Sequence, residues 1–259
     1  MSAVFEEVGN AIRTIGSDDF YPTLQALIEE AFDIDNFLVL GYQGEGKPSI
    51  LFRRSQSAAV HAELESRYVP TLYVLDPFYS VHLEKYPSGS YRLRDISPDR
   101  FKTTNYFLEY YQKTTLLDEI AFIAYVKNGW TINVCVGRDE TSGSLFGKGS
   151  LRQAKELAPC IGSLLERHFS TSELPPEEGF PSLDAILIER LEIHHEISIT
   201  LRQAQVAVLL LRGHSSKSIA EELGVSWQTV RVFRRQLYAR CNVSSQAELF
   251  ALLTPLVNQ

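Results

Sequence analysis

Cysteine is scarce in this sequence, and its placement matches no pairing or ligand pattern. The three cysteines, Cys135, Cys160 and Cys241, are odd in number and far apart along the chain. Disulfide frameworks and zinc sites use even sets or close spacings. His194 and His195 are adjacent, so they cannot both face one metal ion from a helix. We therefore expect no disulfide framework, no metal and no other cofactor, and a reducing compartment such as the cytoplasm.

Long apolar runs are also absent. No stretch approaches the roughly 18 apolar residues that a membrane-spanning helix requires. The chain starts Met-Ser-Ala-Val-Phe-Glu-Glu, which lacks the basic region of a signal peptide. These two absences argue against secretion and membrane anchoring. With 259 residues, 44% of them hydrophobic, the composition is typical of one sizeable core plus a small second domain.

Catalytic signatures are missing as well. The glycine-rich run 143–150 has three residues between its first two glycines, which is too few for a phosphate-binding loop, and its Lys148 is followed by glycine. No serine nucleophile elbow is present, and Cys160 has no histidine near it in sequence. Asp18 and Asp19 begin a predicted helix, whereas the acidic pair of a phosphorylated receiver domain follows a strand. These absences predict that the protein is neither an enzyme nor a phosphorylated response regulator.

Charge is distributed unevenly along the chain. The whole sequence carries −7, but the segment from Ser198 to the end holds seven Lys or Arg residues and three acids. That segment is therefore +4, and the remainder is −11. An acidic body repels phosphate, and a basic segment attracts it. The C-terminal segment is thus the part that suits nucleic acid.

Helix start signals recur through residues 200–253. Thr200 and Gln203 fit a capping box, Ser215 or Ser216 can cap a second helix, and Ser226 can cap a third. Glycine is the residue that most readily takes the left-handed conformation at a helix end, and asparagine is the best substitute for it. The sequence therefore predicts four helices, with left-handed ends at Gly213, Gly224 and Asn242 and a last capping box over residues 245–248.

The second and third of these helices form a helix-turn-helix pattern, joined by Gly224-Val225-Ser226. In such a unit the second helix enters the major groove of DNA. Its Val230 and Leu237 share one face at helical spacing, and arginines cover much of the remaining surface. The alternative interpretation is a small helical bundle with a solvated basic face. The segregation of charge by segment favours DNA binding.

One set of residues in this segment stands in the order and spacing of a known domain family. The set is Thr200, Arg202, Val206, Gly213, Ile219-Ala220, Leu223, Ser226, Thr229-Val230, Arg231, Arg235, Val243 and Ala247-Glu248-Leu249. It resembles the LuxR-type helix-turn-helix of quorum-sensing regulators and many response-regulator output domains, over about the last sixty residues. The resemblance implies a homodimer on inverted-repeat double-stranded DNA, with half-sites about one helical turn apart.

The resemblance also implies roles for individual side chains. Arg231, Val232 and Arg235 would face bases and phosphates, since Arg can pair bidentately with guanine and Val can contact a thymine methyl. Lys217, Trp227, Gln228 and Arg234 would position the DNA backbone. The predicted DNA-binding residues are Lys217, Ser226, Trp227, Gln228, Thr229, Arg231, Val232, Arg234 and Arg235.

The first 170 residues alternate helix and strand patterns. The strongest signal is Asn128-Gly129, because both residues tolerate the positive φ angles of a type I′ hairpin turn. Helices are expected over 4–15, 19–32, 58–68 and 148–169, and strand pairs over 36–42 with 49–53 and over 119–127 with 130–137.

These patterns predict an α+β protein. Its N-terminal α/β/α sensor domain, residues 1–170, would hold an antiparallel sheet of the GAF or PAS kind, a layout that also resembles the autoinducer-binding domain of LuxR proteins. A proline-rich linker and a linker helix would follow over 171–197. The C-terminal all-α, four-helix domain would span 198–259.

Aromatic residues crowd residues 68–111 and predict a small-molecule pocket. Such pockets are mostly apolar with a few convergent polar groups, so this lining suits a partly apolar molecule with N–H donors or an amine. Most of the rings are expected to belong to the core, and a minority to the pocket. The predicted ligand-binding residues are Tyr68, Tyr73, Asp76, Phe78, Tyr79, Tyr91, Tyr110 and Trp130.

Within this stretch, Tyr68 to Asp76-Pro77 resembles the pocket-lining segment of autoinducer receptors, where the Asp accepts a hydrogen bond from the ligand amide. The interval from Tyr to Asp is one residue short, and Leu64 stands where those receptors have Trp. The resemblance thus implies a divergent solo regulator with another effector. An equal alternative for Asp76 is the N-cap of a helix with Pro77 at its first position.

Three hypotheses of function follow. The first is a transcriptional regulator whose N-terminal domain senses a small molecule and controls a dimeric helix-turn-helix. The second is a regulator controlled by a protein partner, without a small-molecule ligand. The third, an enzyme fused to a DNA-binding segment, has the least support.

Overall fold

The strand patterns of the first 170 residues form one antiparallel sheet. The computed structural model describes residues 2–104, 106–171 and 181–257. Neighbouring strands lie in the order β2-β1-β5-β4-β3, and every pair is antiparallel. The predicted α+β class is confirmed. The strands are β1 (Asn36–Gln43), β2 (Ser49–Ser55), β3 (Gly89–Arg92), β4 (Leu116–Tyr125) and β5 (Trp130–Asp139).

Ten α-helices accompany this sheet in the described residues. None of them is long and apolar enough to cross a membrane. Their bounds are α1 (Ser2–Arg13), α2 (Phe20–Ala31), α3 (Pro77–Leu83), α4 (Leu93–Ile96), α5 (Lys148–Thr171), α6 (Leu183–His195), α7 (Leu201–Arg212), α8 (Ser216–Leu223), α9 (Trp227–Arg240) and α10 (Gln246–Val257).

The described chain divides into two compact units. The first unit comprises Met1–Glu63, Val81–Ile96 and Lys113–Gly179. The second comprises Leu64–Ser80, Ser97–Gln112 and Phe180–Gln259. Two segments from the first half of the sequence therefore fold together with the C-terminal helices.

The first unit builds its core on one face of the sheet. Alternate residues of β5, Ile132, Val134 and Val136, point to this face, as the two-residue period of a strand requires. Helices α1, α2 and α5 cover it with fully buried side chains such as Leu27 and Leu165. Each such side chain contributes about 1.5–3 kcal/mol through burial. The β4–β5 hairpin turns at residues 128 and 129, whose φ angles of +58° and +72° match the predicted turn.

Two local expectations differ from the structure. The predicted helix over 58–68 is a 3-10 turn, Ala58–His61, followed by a π-helical turn, Leu64–Tyr68. Val60, Leu64 and Tyr68 are buried at a spacing of four, so the apolar pattern is satisfied without a regular α-helix. The sequence pattern does not predict β3, since a four-residue edge strand is too short to show alternation.

The second unit contains the five C-terminal helices with the predicted caps. Thr200 and Gln203 form a complete capping box at α7, and Ser215 caps α8. Gly213 and Gly224 end these helices with φ angles of +97° and +63°. Asn242 takes the left-handed conformation after α9, with φ +52°. Of the predicted linker, residues 172–180 lie outside the described residues, and α6 occupies the position of the linker helix.

Candidate functional site

Helix α9 begins and packs through local signals in its own sequence. The Ser226 hydroxyl caps the helix by accepting the Thr229 backbone N–H at 3.0 Å. The two hydroxyls are also hydrogen bonded to each other at 2.8 Å. Val230 and Leu237 are fully buried and fix which face of the helix points inward. Ser226 and Thr229 therefore orient the start of the helix.

The opposite face of α9 presents five of the predicted DNA-binding residues to solvent. Trp227, Gln228, Arg231, Val232 and Arg235 are all exposed and lie at the spacing of one helical stripe. Trp227 is 48% exposed, which is unusual for so large an apolar ring. The Arg231 guanidinium carbon lies 5.3 Å from the centre of the Trp227 ring, in a cation–π arrangement. This contact holds Arg231 on the exposed stripe.

Helix α8 and the turn after it complete the helix-turn-helix. Ser215 accepts the Ser218 backbone N–H at 3.3 Å and so caps α8. Lys217 is exposed in the first turn. Gly224 ends α8 in the left-handed conformation, and Ser226 starts α9 two residues later. This geometry brings Lys217 and the α9 stripe into one unit with the connection that the sequence predicts.

Arg234 is directed into the domain rather than toward solvent. Its guanidinium donates to the Ser216 hydroxyl at 2.8 Å and to the Tyr238 hydroxyl at 3.2 Å. It also lies 5.7 Å from the centre of the Tyr238 ring. These contacts tie α8 to α9, so we propose a structural role for Arg234.

Replacing Arg234 with alanine should lower the free energy of unfolding by about 1 kcal/mol, because two internal hydrogen bonds are lost. Arg235→Ala is the matched control, since Arg235 is exposed on the same helix. It should leave stability within about 0.5 kcal/mol and lower the salt slope of DNA binding by about one. Urea denaturation and binding titrations at several salt concentrations measure both effects. An equal loss of slope in the two variants would show that Arg234 contacts phosphate.

A second candidate site surrounds the buried carboxylate of Asp76. Its Oδ1 accepts the Phe78 backbone N–H at 2.8 Å, which caps α3, and its Oδ2 accepts the Tyr68 hydroxyl at 2.7 Å. The Tyr106 side chain also hydrogen bonds to this carboxylate. Burial raises the pKa of Asp76, and these three hydrogen bonds oppose that shift. The capping role of Asp76 is thus present, and it leaves the second oxygen facing the tyrosines.

The rings around Asp76 form a cluster in the same unit. The Tyr68 and Tyr110 rings stack with their centres 5.6 Å apart, and Tyr106 lies 5.6 Å from Tyr110. Tyr73 and Tyr79 meet edge to face at 4.9 Å. All of these rings are buried. We call Tyr68, Asp76, Tyr106 and Tyr110 the Asp76 cluster.

The remaining two predicted ligand-binding residues belong to the first unit. Tyr91 lies half-buried on edge strand β3, and its hydroxyl donates to the Pro87 carbonyl. The Trp130 ring covers Gly41, where a Cβ atom would lie only 2.8 Å from it. The Trp130 ring on β5 therefore fills the space beside residue 41 on β1, so that residue must be glycine. The Asp76 cluster belongs to the second unit.

Residues 198–253 match the sequence model of a family described as bacterial regulatory proteins, luxR family. The C-terminal segment is a LuxR-family helix-turn-helix domain. This family consists of DNA-binding regulators and not of enzymes, so the protein is a transcriptional regulator with a LuxR-type domain. Among the described residues, no group of three or more His, Cys, Asp or Glu side chains is placed to hold a metal ion.

One sequence relative and two solved structures extend the comparison beyond the LuxR-family domain. An HTH-type transcriptional regulator of the exeN 3′ region of Aeromonas salmonicida is 29% identical over 182 residues, 68% of this chain and 92% of its own. The LBD domain of VqsR from Pseudomonas aeruginosa shares the fold, with a TM-score of 0.56 and 22% identity, over 67% of this chain and all of its own. SdiA in complex with octanoyl-rac-glycerol matches 100% of this chain and 96% of its own at 12% identity, with a TM-score of 0.47.

Tyr106 is the member of the Asp76 cluster that sequence reasoning did not select as a ligand-binding residue. It belongs to the aromatic stretch, but its separation of 30 positions from Asp76 corresponds to no local motif. The hydrogen bond depends on how segments 64–80 and 97–112 fold together in the unit of the LuxR-family domain. Only the abundance of tyrosine in that stretch could have suggested it.

Proposed function

We propose that the LuxR-family domain binds an inverted-repeat operator as a homodimer and that a small-molecule effector controls this binding. The observation that carries DNA recognition is the exposed stripe of α9, which presents Trp227, Arg231 and Arg235 on a chain that is otherwise acidic. One basic segment of net +4 makes few phosphate contacts, so a single copy binds DNA weakly. Two copies held at the spacing of the half-sites offset this weakness.

The effector site that we propose is the Asp76 cluster. A carboxylate offers about four acceptor positions, and hydroxyl and amide donors from Tyr68, Phe78 and Tyr106 use three of them. A ligand N–H or amine is the complementary group for the fourth. The surrounding tyrosine rings suit the apolar part of such a molecule. The fold shared with the VqsR LBD domain is consistent with a sensing role.

Selection from a random duplex library tests DNA recognition. The full-length protein should enrich an inverted repeat whose half-sites lie about 10 base pairs apart, one turn of the double helix. Light scattering should give the mass of two chains for the species that binds it. Recovery of no preferred sequence, or binding by a single chain, would contradict the proposal.

A thermal-shift assay tests whether the protein binds a small-molecule effector. A panel of N-acyl amides and aromatic amines, together with a cellular metabolite extract, should contain a compound that raises the melting temperature by about 5 °C at 100 times its Kd. Asp76→Asn should abolish this shift because the neutral amide lacks the acceptor charge, while its remaining oxygen can still cap α3. The control is Asp95→Asn, which removes an exposed carboxylate from the first unit. DNA binding without any thermal shift would instead support control by a protein partner.

A further inference from the structure

The turn between α7 and α8 is held by a segment from the first half of the sequence. Within the second unit, the Arg100 backbone N–H donates to the Gly213 carbonyl at 3.0 Å. The Ser215 backbone N–H donates to the Asp99 carboxylate at 2.9 Å. Thr104 presses on the same turn, so closely that a Cβ on Gly213 would lie 2.5 Å from its methyl group. We call residues 97–104 the clamp segment.

A second contact holds the same turn from another part of the unit. The Arg212 guanidinium, in the last turn of α7, donates to the Val74 carbonyl at 3.1 Å. Val74 lies two residues before Asp76 in the sequence. Ser215 at the start of α8 and Arg212 at the end of α7 therefore both form hydrogen bonds with segments that also contribute residues to the Asp76 cluster.

The clamp segment lies at the start of α8, where the DNA backbone would be expected to bind. Backbone N–H groups at the start of a helix are favourable partners for DNA phosphates, and α8 is the first helix of the helix-turn-helix. In this structure the Ser215 N–H at that position is occupied by a carboxylate. Desolvation acts to raise the pKa of Asp99, but hydrogen bonds from Ser215 and from its own backbone, together with the charge of Arg100, outweigh desolvation and lower the pKa. The bound group is therefore an anion, like a phosphate oxygen.

Two hydrogen bonds join the clamp segment to the helical turn that contributes Tyr106 to the Asp76 cluster. The Thr104 hydroxyl accepts the Phe107 backbone N–H at 3.1 Å, and the Thr104 carbonyl accepts the Leu108 N–H at 3.0 Å. These bonds join the clamp segment to the helical turn that carries Tyr106, a partner of Asp76. Tyr106 therefore lies in the same hydrogen-bonded turn as Thr104, the residue packed against Gly213.

We propose that the clamp segment is an autoinhibitory contact: Asp99 takes the place of a DNA phosphate at the start of α8, and effector binding at the Asp76 cluster releases it. This inference rests on the proposed function, since it concerns how the effector controls the DNA-binding surface. The competition is electrostatic, because a fixed carboxylate both occupies the N–H donor and repels the phosphate backbone.

The affinity of the effector-free protein for DNA tests the clamp. Asp99→Ala should bind the selected duplex about tenfold more tightly than the unaltered chain, because a charge-assisted hydrogen bond no longer competes with DNA. Asp95→Ala is the control, since it removes the same charge from an exposed position of the first unit; it should change affinity less than twofold. Equal affinities for Asp99→Ala and the unaltered chain would overturn the clamp and leave DNA binding intact. If neither binds any duplex, the proposed function itself fails.

Hydrogen exchange tests the clamp first in the unaltered chain and then in one variant. In the full-length chain without DNA, the amides of Arg100 and Ser215 should exchange slowly, because both donate hydrogen bonds. Adding the selected duplex should speed exchange across residues 97–104 at least threefold. Tyr106→Phe, which removes the hydroxyl partner of Asp76, should speed it without DNA. Unchanged or slower exchange in both experiments would overturn the proposal.

Discussion

Replacing Arg231 with alanine should weaken binding to the selected duplex by about 1–3 kcal/mol and relax base preference at one position of each half-site. Arg231 is exposed on α9 and is held by the Trp227 ring. The cation–π contact, worth about 0.5–1 kcal/mol at an exposed site, lowers the conformational freedom that Arg231 loses when its planar guanidinium pairs with a guanine edge. Fluorescence anisotropy with the selected duplex and with point-substituted duplexes measures both the loss and the change in preference.

Lys217→Ala is the comparison for this variant. Lys217 is exposed on α8, away from the α9 stripe in sequence, and carries one positive charge. Its removal should weaken binding to the selected duplex and to random duplexes alike, and it should lower the salt slope of binding by about one. If Arg231→Ala also weakened binding to both kinds of duplex equally, Arg231 would not read bases.

Replacing Gly213 with alanine should have the largest effect on stability, lowering the free energy of unfolding by about 3 kcal/mol. The left-handed conformation alone costs a non-glycine residue about 1–2 kcal/mol. At Gly213 an added Cβ would also lie 2.5 Å from the Thr104 methyl and 3.2 Å from the Arg100 carbonyl carbon. Overpacking of this kind adds about 1–3 kcal/mol, because backbone or side chains must shift.

Gly224→Ala separates the two contributions. Gly224 has a similar left-handed conformation, with φ +63°, but an added Cβ would meet nothing within 4 Å. Its substitution should therefore cost only the conformational term of about 1–2 kcal/mol. Urea denaturation followed by circular dichroism compares the two variants. Equal destabilisation would mean that residues 97–104 do not press on the α7–α8 turn in solution.

The DNA-binding surface could be predicted from sequence in much of its detail. The caps at Thr200, Ser215 and Ser226 each join residues three positions apart, so their signals lie within one short window. The apolar spacing of Val230 and Leu237 fixes the inward face of α9 and hence its exposed face. Arg234 differs from its exposed neighbours because its direction depends on Ser216, 18 positions away on another helix.

The candidate ligand site could be predicted from the sequence only in part. Asp76 and Tyr68 lie eight positions apart and belong to one recognisable segment, so their association follows from a local pattern. Trp130 and Tyr91 share only aromatic character with that segment, and the structure assigns them to the sheet unit. Aromatic composition indicates burial, but it does not state which buried surface a ring joins.

By itself, the sequence determined the helix ends, the hairpin at Asn128-Gly129, the basic character of the C-terminal segment and the exposed stripe of α9. These features depend on bonds or periodicities within a few residues. Only the tertiary structure decided that segments 64–80 and 97–112 fold with the C-terminal helices. It also decided that Arg212 bonds to Val74, across 138 positions, and that Asp99 bonds to Ser215, across 116. Such contacts depend on how distant segments come together in the fold, which no local pattern of residues encodes.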